Sequence, residues 1–415
     1  MIDVGGIITM IDLTIIIPVY NVEDYLEECL DSVVQISDVS MQVICIDDCS
    51  TDSSYYILQR YREQYPIEIY VNEQNRGLAY TRNVGLQYAI GRYVMFVDSD
   101  DYINPSVISS FIKKMKSDEL DLLYFDVEEF INGNRNIEVI TKRKRKYSYP
   151  IKCGLDIFDL MVKKGEMFGC VWDGMYRKEF LSKHNLQFLD GILHEDIPFT
   201  FAALLNASKV GVMLETGYYY RQRSGSILHQ PNYLKRARGL IIGYAQMICT
   251  WNYISTKMDL SEYESSINRY LDSIVSMIET NYLEGCSGDC EDAIVNHFMT
   301  NFRINTYRKL KEIVGSGLLQ EMEKYKRVSL YGAGNIAKKV LPFLASEGIE
   351  VSAIFVTDIE NNPNTMNGIP VLQYETKYGN EYDAIVVAVS QQLQKAIVDR
   401  LLELNYQGKI ITLTV

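Results

Sequence analysis

What this sequence lacks narrows its function before any motif is read. The 415-residue chain has no uninterrupted apolar stretch of about 18 residues, so no segment spans a bilayer unaided. Its opening residues, MIDVGGIITM, carry no positively charged segment ahead of the apolar ones, which speaks against a signal peptide, and the expected location is the cytoplasm. Positive charge is in deficit: 41 Lys and Arg face 54 Asp and Glu, a net charge of −13. A nucleic-acid partner held by a broad basic face is therefore not expected, because phosphate neutralisation needs clustered Lys and Arg. A cysteine framework is missing too. The eight Cys are scattered; Cys45 and Cys49 stand four apart, as do Cys286 and Cys290, but these two pairs are far apart in the chain and do not form the pair of pairs of a compact zinc module. Reduced thiols are the expectation.

What is present is the composition of a folded protein, 47% hydrophobic and 23% charged. Single cores stop growing near roughly 250–300 residues, so at least two domains are expected. From Leu13 the pattern alternates. Apolar, β-branched runs (LTIIIPVY, MQVICIDD, IEIYVNE, RYVMFVD) are separated by amphipathic stretches (EDYLEECLDSVVQ, SSYYILQRYREQY, LAYTRNVGLQYAI). Such alternation marks a buried parallel sheet covered by helices, an α/β domain whose ligands gather at the carboxyl ends of the strands. Residues 231–325 are helical in period and poor in proline, which reads as a helical connector. At Arg327 a second α/β pattern begins, and Gly332-Ala-Gly334-Asn-Ile-Ala337 follows a strand and opens a helix, the context of a dinucleotide-type glycine turn.

The strand-end loops hold the chemistry. VMFVDSDD delivers Asp98, Asp100 and Asp101 into one loop, where three carboxylates are tolerable if solvated or if a divalent cation such as Mg²⁺ or Mn²⁺ offsets them. Asp47-Asp48 end another strand, ahead of Cys49-Ser50-Thr51-Asp52, whose Ser50 or Asp52 could instead cap the next helix. The loop with Pro18-Val-Tyr-Asn21 leaves the first strand, and a further acidic cluster stands at His194-Glu195-Asp196.

In order and at family-like intervals, IIIPVYNVEDYLEECLDSV, ICIDDCSTDSS, NRGLAYTRNVGL, GRYVMFVDSDDY and LHEDIPFT resemble the family 2 inverting glycosyltransferases of the GT-A fold. The resemblance covers roughly residues 12–230 and implies a GT-A nucleotide-diphospho-sugar transferase domain there, followed by the helical connector and a Rossmann-like α/β domain over 326–415. It also implies roles. Pro18, Tyr20 and Glu23 would edge the nucleotide pocket, with Asp48 and Arg76 at a uracil-like base. Asp98 would reach the ribose beside Ser99, and Asp100 would ligate the Mn²⁺ or Mg²⁺ that bridges the diphosphate. Arg221, Arg223 and Ser226 would close over that diphosphate, with His229 as a further metal or phosphate contact. Asp196 would be the general base, and Glu195 would meet the acceptor. One base set apart from the metal acids suits a single displacement, whereas a retaining glycosidase needs two carboxylates flanking the bond.

One departure stands out: Gly174, in Val171-Trp-Asp-Gly-Met-Tyr176, occupies a place where relatives commonly carry Lys, so that charge is either lost or supplied from elsewhere. Trp172 and Tyr176 either stack on an acceptor sugar or pack in the core. The run Lys142-Arg143-Lys144-Arg145-Lys146 is either a solvated loop or a dock for anionic lipid headgroups or a lipid-diphosphate acceptor, which would bring the chain to the inner face of the membrane. The implied partners are a nucleotide-sugar donor, probed first as UDP-linked, and a glycan or lipid-linked glycan acceptor. For the C-terminal module the readings are nucleotide-sugar or NAD binding, or a structural role such as homodimer formation. No Tyr-x-x-x-Lys set follows its glycine turn, which weighs against a dehydrogenase.

Overall fold

The computed structural model describes residues 2–4, 7–132, 137–140, 144–223, 231–286, 290–360, 362–375 and 381–413. Ser226, His229, Lys142 and Arg143 lie outside the described residues. The chain divides into two compact units, Met1–Val295 and Asn296–Val415.

The first unit runs β1 (Leu13–Val19), α1 (Leu26–Val34), β2 (Met41–Asp47), α2 (Ser54–Arg62), β3 (Ile67–Val71), α3 (Leu78–Tyr88) and β4 (Tyr93–Phe96). The strands pair in the order β3-β2-β1-β4, all parallel. Every residue of β1 is buried, as its unbroken apolar sequence requires of a strand covered on both faces. Ile15, Ile16 and Ile17 are wholly inaccessible, and each contributes roughly 1.5–3 kcal/mol by burial. Helix α3 lies close against this sheet because Gly85 has no side chain: a Cβ there would come within 2.4 Å of Ile16 Cγ2.

The sheet then continues with mixed pairing. Next in the chain come β5 (Tyr102–Ile103), α4 (Pro105–Ser117), β6 (Leu122–Asn132), β7 (Ile137–Ile140), α5 (Gly154–Lys164), β8 (Gly174–Arg177), α6 (Lys178–Lys183), α7 (Asp196–Asn206) and β9 (Val210–Gln222). Strand β8 inserts antiparallel between β4 and β6, β9 runs parallel to β6, and β5 and β7 pair antiparallel with β9 and β6. Helices α8 (Tyr233–Ser255) and α9 (Glu264–Gly285) pack on each other and onto α7 and α5. The ring of Tyr270 on α9 meets Phe158 of α5 at 5.4 Å and Phe201 of α7 at 6.1 Å.

Helix α10 (Ala293–Met322) contains the boundary between the units. The second unit continues through β10 (Val328–Tyr331), α11 (Asn335–Ser346), β11 (Val351–Val356), β12 (Thr365–Met366), β13 (Ile369–Gln373), β14 (Ala384–Val387), α12 (Gln391–Glu403) and β15 (Lys409–Thr412). Its parallel strands are ordered β13-β11-β10-β14-β15, with β12 antiparallel at one edge. Val340, Phe343 and Leu344 of α11 pack in one apolar cluster, and Leu401 of α12 in another, so the parallel α/β pattern expected after Arg327 is what forms. Among the described residues no helix is long and apolar enough to cross a membrane.

Candidate active site

The carboxyl edge of β1, β2 and β4 gathers most of the expected residues. The loop after β1 and the loop after β2 are laced together: the backbone N–H of Glu23 donates to Asp52, that of Ser53 to Glu23, and that of Thr51 to Asn21 Oδ1, at 2.8–3.0 Å. Tyr20 is 44% exposed at this edge, while Pro18 remains in the β1 ladder, buried opposite Ile46. Asp48 is buried, and its carboxylate accepts from Asn72 Nδ2 at 2.7 Å and from the backbone N–H groups of Arg76 and Gly77 at 2.8 Å each. Asp48 thus anchors the loop that leads into α3, where Gly77 takes φ +87°, a left-handed value that a side chain disfavours. Three of the roughly four acceptor positions of a carboxylate are used, leaving one for a base. Arg76 is exposed and lies over the Tyr80 ring, 4.4 Å from its centre.

After β4 the acidic loop sorts its side chains by turns. Asp98 and Asp100 are half-buried, whereas Ser99 and Asp101 are buried. Asp101 is buried and satisfied by protein groups. It accepts from the Tyr218 hydroxyl and from the Arg221 backbone N–H, both at 2.7 Å, while Tyr218 accepts from the Asp98 N–H at 3.0 Å. Burial, with Asp100 and Asp98 nearby, holds the Asp101 carboxyl well above its ordinary pKa. Its work is to pin the end of β9 to the loop. That tie brings the two arginines in: Arg221 Nε donates to the Asp100 carbonyl at 2.8 Å, and Arg223 Nε meets Asp100 Oδ2 at 2.7 Å.

The third component is the turn at His194-Glu195-Asp196. His194 takes φ +64°, and Asp196 opens α7, its Oδ1 accepting from the Ile197 N–H at 3.0 Å. Asp196 is half-buried and Glu195 is buried. Burial raises the pKa of both carboxyls and the Arg82 cation opposes the rise, so the pair titrates above the ordinary carboxylate range. Burial likewise lowers the His194 pKa. Arg82, from α3, is 2% exposed and bridges the two acidic regions: Nη2 meets Asp98 Oδ1 at 2.7 Å and Nη1 meets Glu195 Oε1 at 2.5 Å. Burial works against this cation, but Asp98, Glu195 and Asp196 outweigh it and keep it protonated.

Some expectations need correction. Trp172 is 5% exposed and stacks on Tyr218 and Tyr220 at 4.9 and 5.1 Å, and Tyr176 is wholly buried, so both rings pack beneath the site and neither offers a face to a sugar. Glu195 is committed to Arg82 rather than open to an acceptor. In the basic run, Arg145 is neither solvated nor free for lipid: it is 3% exposed, pairs with Asp173 at 2.7 Å and donates to the Phe125 carbonyl. It places a buried cation on the residue next to Gly174, so charge near the position where relatives carry Lys comes from this loop. Lys144 and Lys146 are exposed. Arg82 and Asn83, which bind the segment from Phe188 to Glu195, received no role from the sequence.

Among the described residues no group of three or more His, Cys, Asp or Glu side chains forms a ready cage for a metal. For a hard cation of the kind bound through one or two carboxylates and completed by substrate phosphates, the half-buried Asp100 is the fitting ligand at this edge, although its Oδ2 is shared with Arg223.

Comparison with known proteins bears on this geometry. Residues 14–184 match the family model for glycosyl transferase family 2, and residues 324–412 match a model described as C2185-like, N-terminal. An uncharacterised glycosyltransferase of Escherichia coli (strain K12), YibD, is 28% identical over 237 residues, 54% of this chain and 69% of that protein. A poly(ribitol-phosphate) beta-glucosyltransferase of Bacillus spizizenii (strain ATCC 23059 / NRRL B-14472 / W23) is 33% identical over 215 residues, 50% of this chain but only 32% of the relative. Among solved structures, Staphylococcus aureus TarS 1-349 in complex with UDP-GlcNAc shares the fold with a TM-score of 0.56 at 22% identity, covering 72% of this chain and 81% of that one.

Proposed function

Residues 14–184 form a family 2 glycosyl transferase domain, which makes the chain a glycosyltransferase, and from that premise we propose that it moves a sugar from a uridine-diphosphate donor to a hydroxyl of a cell-surface or lipid-linked glycan, with inversion at the anomeric carbon. The observation that carries this reading is the convergence of the Asp98–Asp100 loop, the arginines at the end of β9 and the Asp196 turn, with Arg82 bridging two of them. The names of the relatives support the donor and acceptor classes: one acts on poly(ribitol-phosphate), and TarS 1-349 is titled with UDP-GlcNAc.

In this reading Asp196 accepts the proton of the attacking hydroxyl as the new C–O bond forms and the bond from the anomeric carbon to the diphosphate breaks on the opposite face. Its carboxylate must be ionised for this, which Arg82 favours and burial opposes. Arg223, half-buried on Asp100, would meet the charge that a leaving diphosphate develops, and such a pre-placed cation is worth most in a partly dry site; Arg221, expected there too, is instead buried on Glu28 and the Asp100 carbonyl and holds that loop in place. A divalent ion, when bound, supplies further positive charge to the leaving group, and Asp100 is the side chain that would hold it. Asp98 faces the ribose side, while Asp48 keeps the loop around Arg76 in place beside the base.

A panel of nucleotide sugars, followed by release of free nucleotide with and without Mn²⁺, tests the proposal. Turnover of a UDP-sugar above all others, suppressed by chelation, is expected. Turnover confined to GDP- or CMP-sugars would overturn the donor assignment.

A further inference from the structure

Helix α3 reaches the base-bearing segment through two adjacent side chains. Arg82 takes Glu195, and its guanidinium lies 5.4 Å from the centre of the Phe188 ring. Asn83 forms a closed pair with the Phe188 backbone, donating to its carbonyl and accepting from its N–H at 2.9 Å each, and donates again to Asp190 at 3.0 Å. The segment from Phe188 to Glu195 is thereby fastened at both ends to one helix. That helix is itself fixed on the sheet by Gly85 and held at its start by Asp48. The second arm of Arg82 goes to Asp98 in the loop after β4.

We propose that Arg82, assisted by Asn83, is the positioning residue for transfer: it holds the donor loop through Asp98 and the base turn through Glu195 at once, and so fixes the distance between the donor and the Asp196 carboxylate. This rests on the reading of Asp196 as the base. A planar guanidinium can serve two carboxylates with separate N–H groups, whereas an ammonium is a single point on a flexible stem, so Lys is not an equivalent. Stability alone does not account for the arrangement, because buried ion pairs are often no better than apolar packing of the same volume. Here both acids belong to segments of the site, and they are 97 residues apart in the chain, as their numbers 98 and 195 show. A misplacement of about 1 Å costs on the order of a hundredfold in rate where geometry carries the chemistry.

The test uses the full chain and the UDP-sugar that the screen returns, with water as acceptor. Arg82→Lys is expected to lower kcat about a hundredfold with the KM for the donor changed severalfold at most, and Asn83→Ala to lower kcat about tenfold with KM unchanged. Arg82→Met removes the charge as well and is expected to move the acid limb of kcat/KM to higher pH, as loss of the cation beside Asp196 requires, so the fall in kcat with KM held in Arg82→Lys is the readout that a purely structural role would not give. Tyr270, His194, Glu195 and Asp98 also face Asp196 or its turn and stay unaltered in these variants. A folded Arg82→Lys enzyme with wild-type kcat and an unmoved acid limb overturns the proposal. If the Arg82 variants fail to fold, Asn83→Ala decides alone, and wild-type kcat in it counts against positioning. Asp196→Asn separates the two readings: if it retains turnover, the base assignment fails whatever Arg82 does. If it is inactive while the Arg82 and Asn83 variants keep wild-type kcat, only the positioning proposal fails.

Discussion

The two units each present the carboxyl edge of a parallel sheet with a short loop leading into a helix, and the contrast lies in what each buries. At the first edge Asp48, Arg82 and Asp101 are buried and hydrogen-bonded across loops distant in sequence. In the second unit, among the residues whose burial is described, Ser329 is the only buried polar side chain apart from tyrosines, and it lies within β10. Gly332, just after that strand, takes φ +115°, and a Cβ there would come within 2.8 Å of the Ala388 carbonyl, so the turn's geometry requires glycine on both counts. Topology alone does not make a site. Burying charge costs several kcal/mol per ion, and the first unit bears that cost where its candidate chemistry is.

The comparison can be broken in several places. The largest effect is expected at Asp196: Asn there should lower turnover by roughly a factor of 10³, within the range for loss of a general base, while UDP affinity by calorimetry stays within about twofold. Next, Asp100→Ala should lower turnover by roughly 10²–10³ and, unlike the first variant, abolish the Mn²⁺-dependent part of UDP binding. A smaller effect follows from pH. The carboxyls of Glu195 and Asp196 have folded pKa values raised by burial, so from about pH 4 upward the folded state holds protons that the unfolded chain has released. Stability from this pair is therefore greatest on the acid side and is lost as pH rises through the raised values, whereas turnover needs the ionised base and rises over the same interval. Thermal unfolding and kcat/KM measured across that interval should move in opposite directions. The smallest effect is expected in the second unit, where Gly332→Ala should lower the unit's own stability yet leave turnover unchanged. A tenfold loss of turnover would show that the second edge takes part in the reaction.

The same contrast explains what the sequence disclosed. Strands β1, β2 and β4 were legible because residues buried on both faces must be apolar without interruption. Asp98, Asp100 and Asp196 were legible because acids at strand ends and helix starts stand out against such runs. Strand β8 was not, since four residues inserted antiparallel between β4 and β6 leave no periodic signal. Arg82 and Arg145 were missed for a related reason: a basic residue in an amphipathic helix or a charged run has the same letter whether it meets water or a buried carboxylate. The only hint was that Arg82-Asn83 sits in NRGLAYTRNVGL on the helix whose glycine packs on β1. Trp172 misled in the opposite direction, because an aromatic beside an acid suits a sugar and a core equally well.

The central claim is that one carboxylate, Asp196, drives one displacement at the donor's anomeric carbon. Proton NMR of the sugar first released when water is the acceptor, recorded before the anomers equilibrate, tests it most directly. The account predicts that the first signal is the anomer opposite to that of the donor; initial release with the donor's own configuration would contradict it.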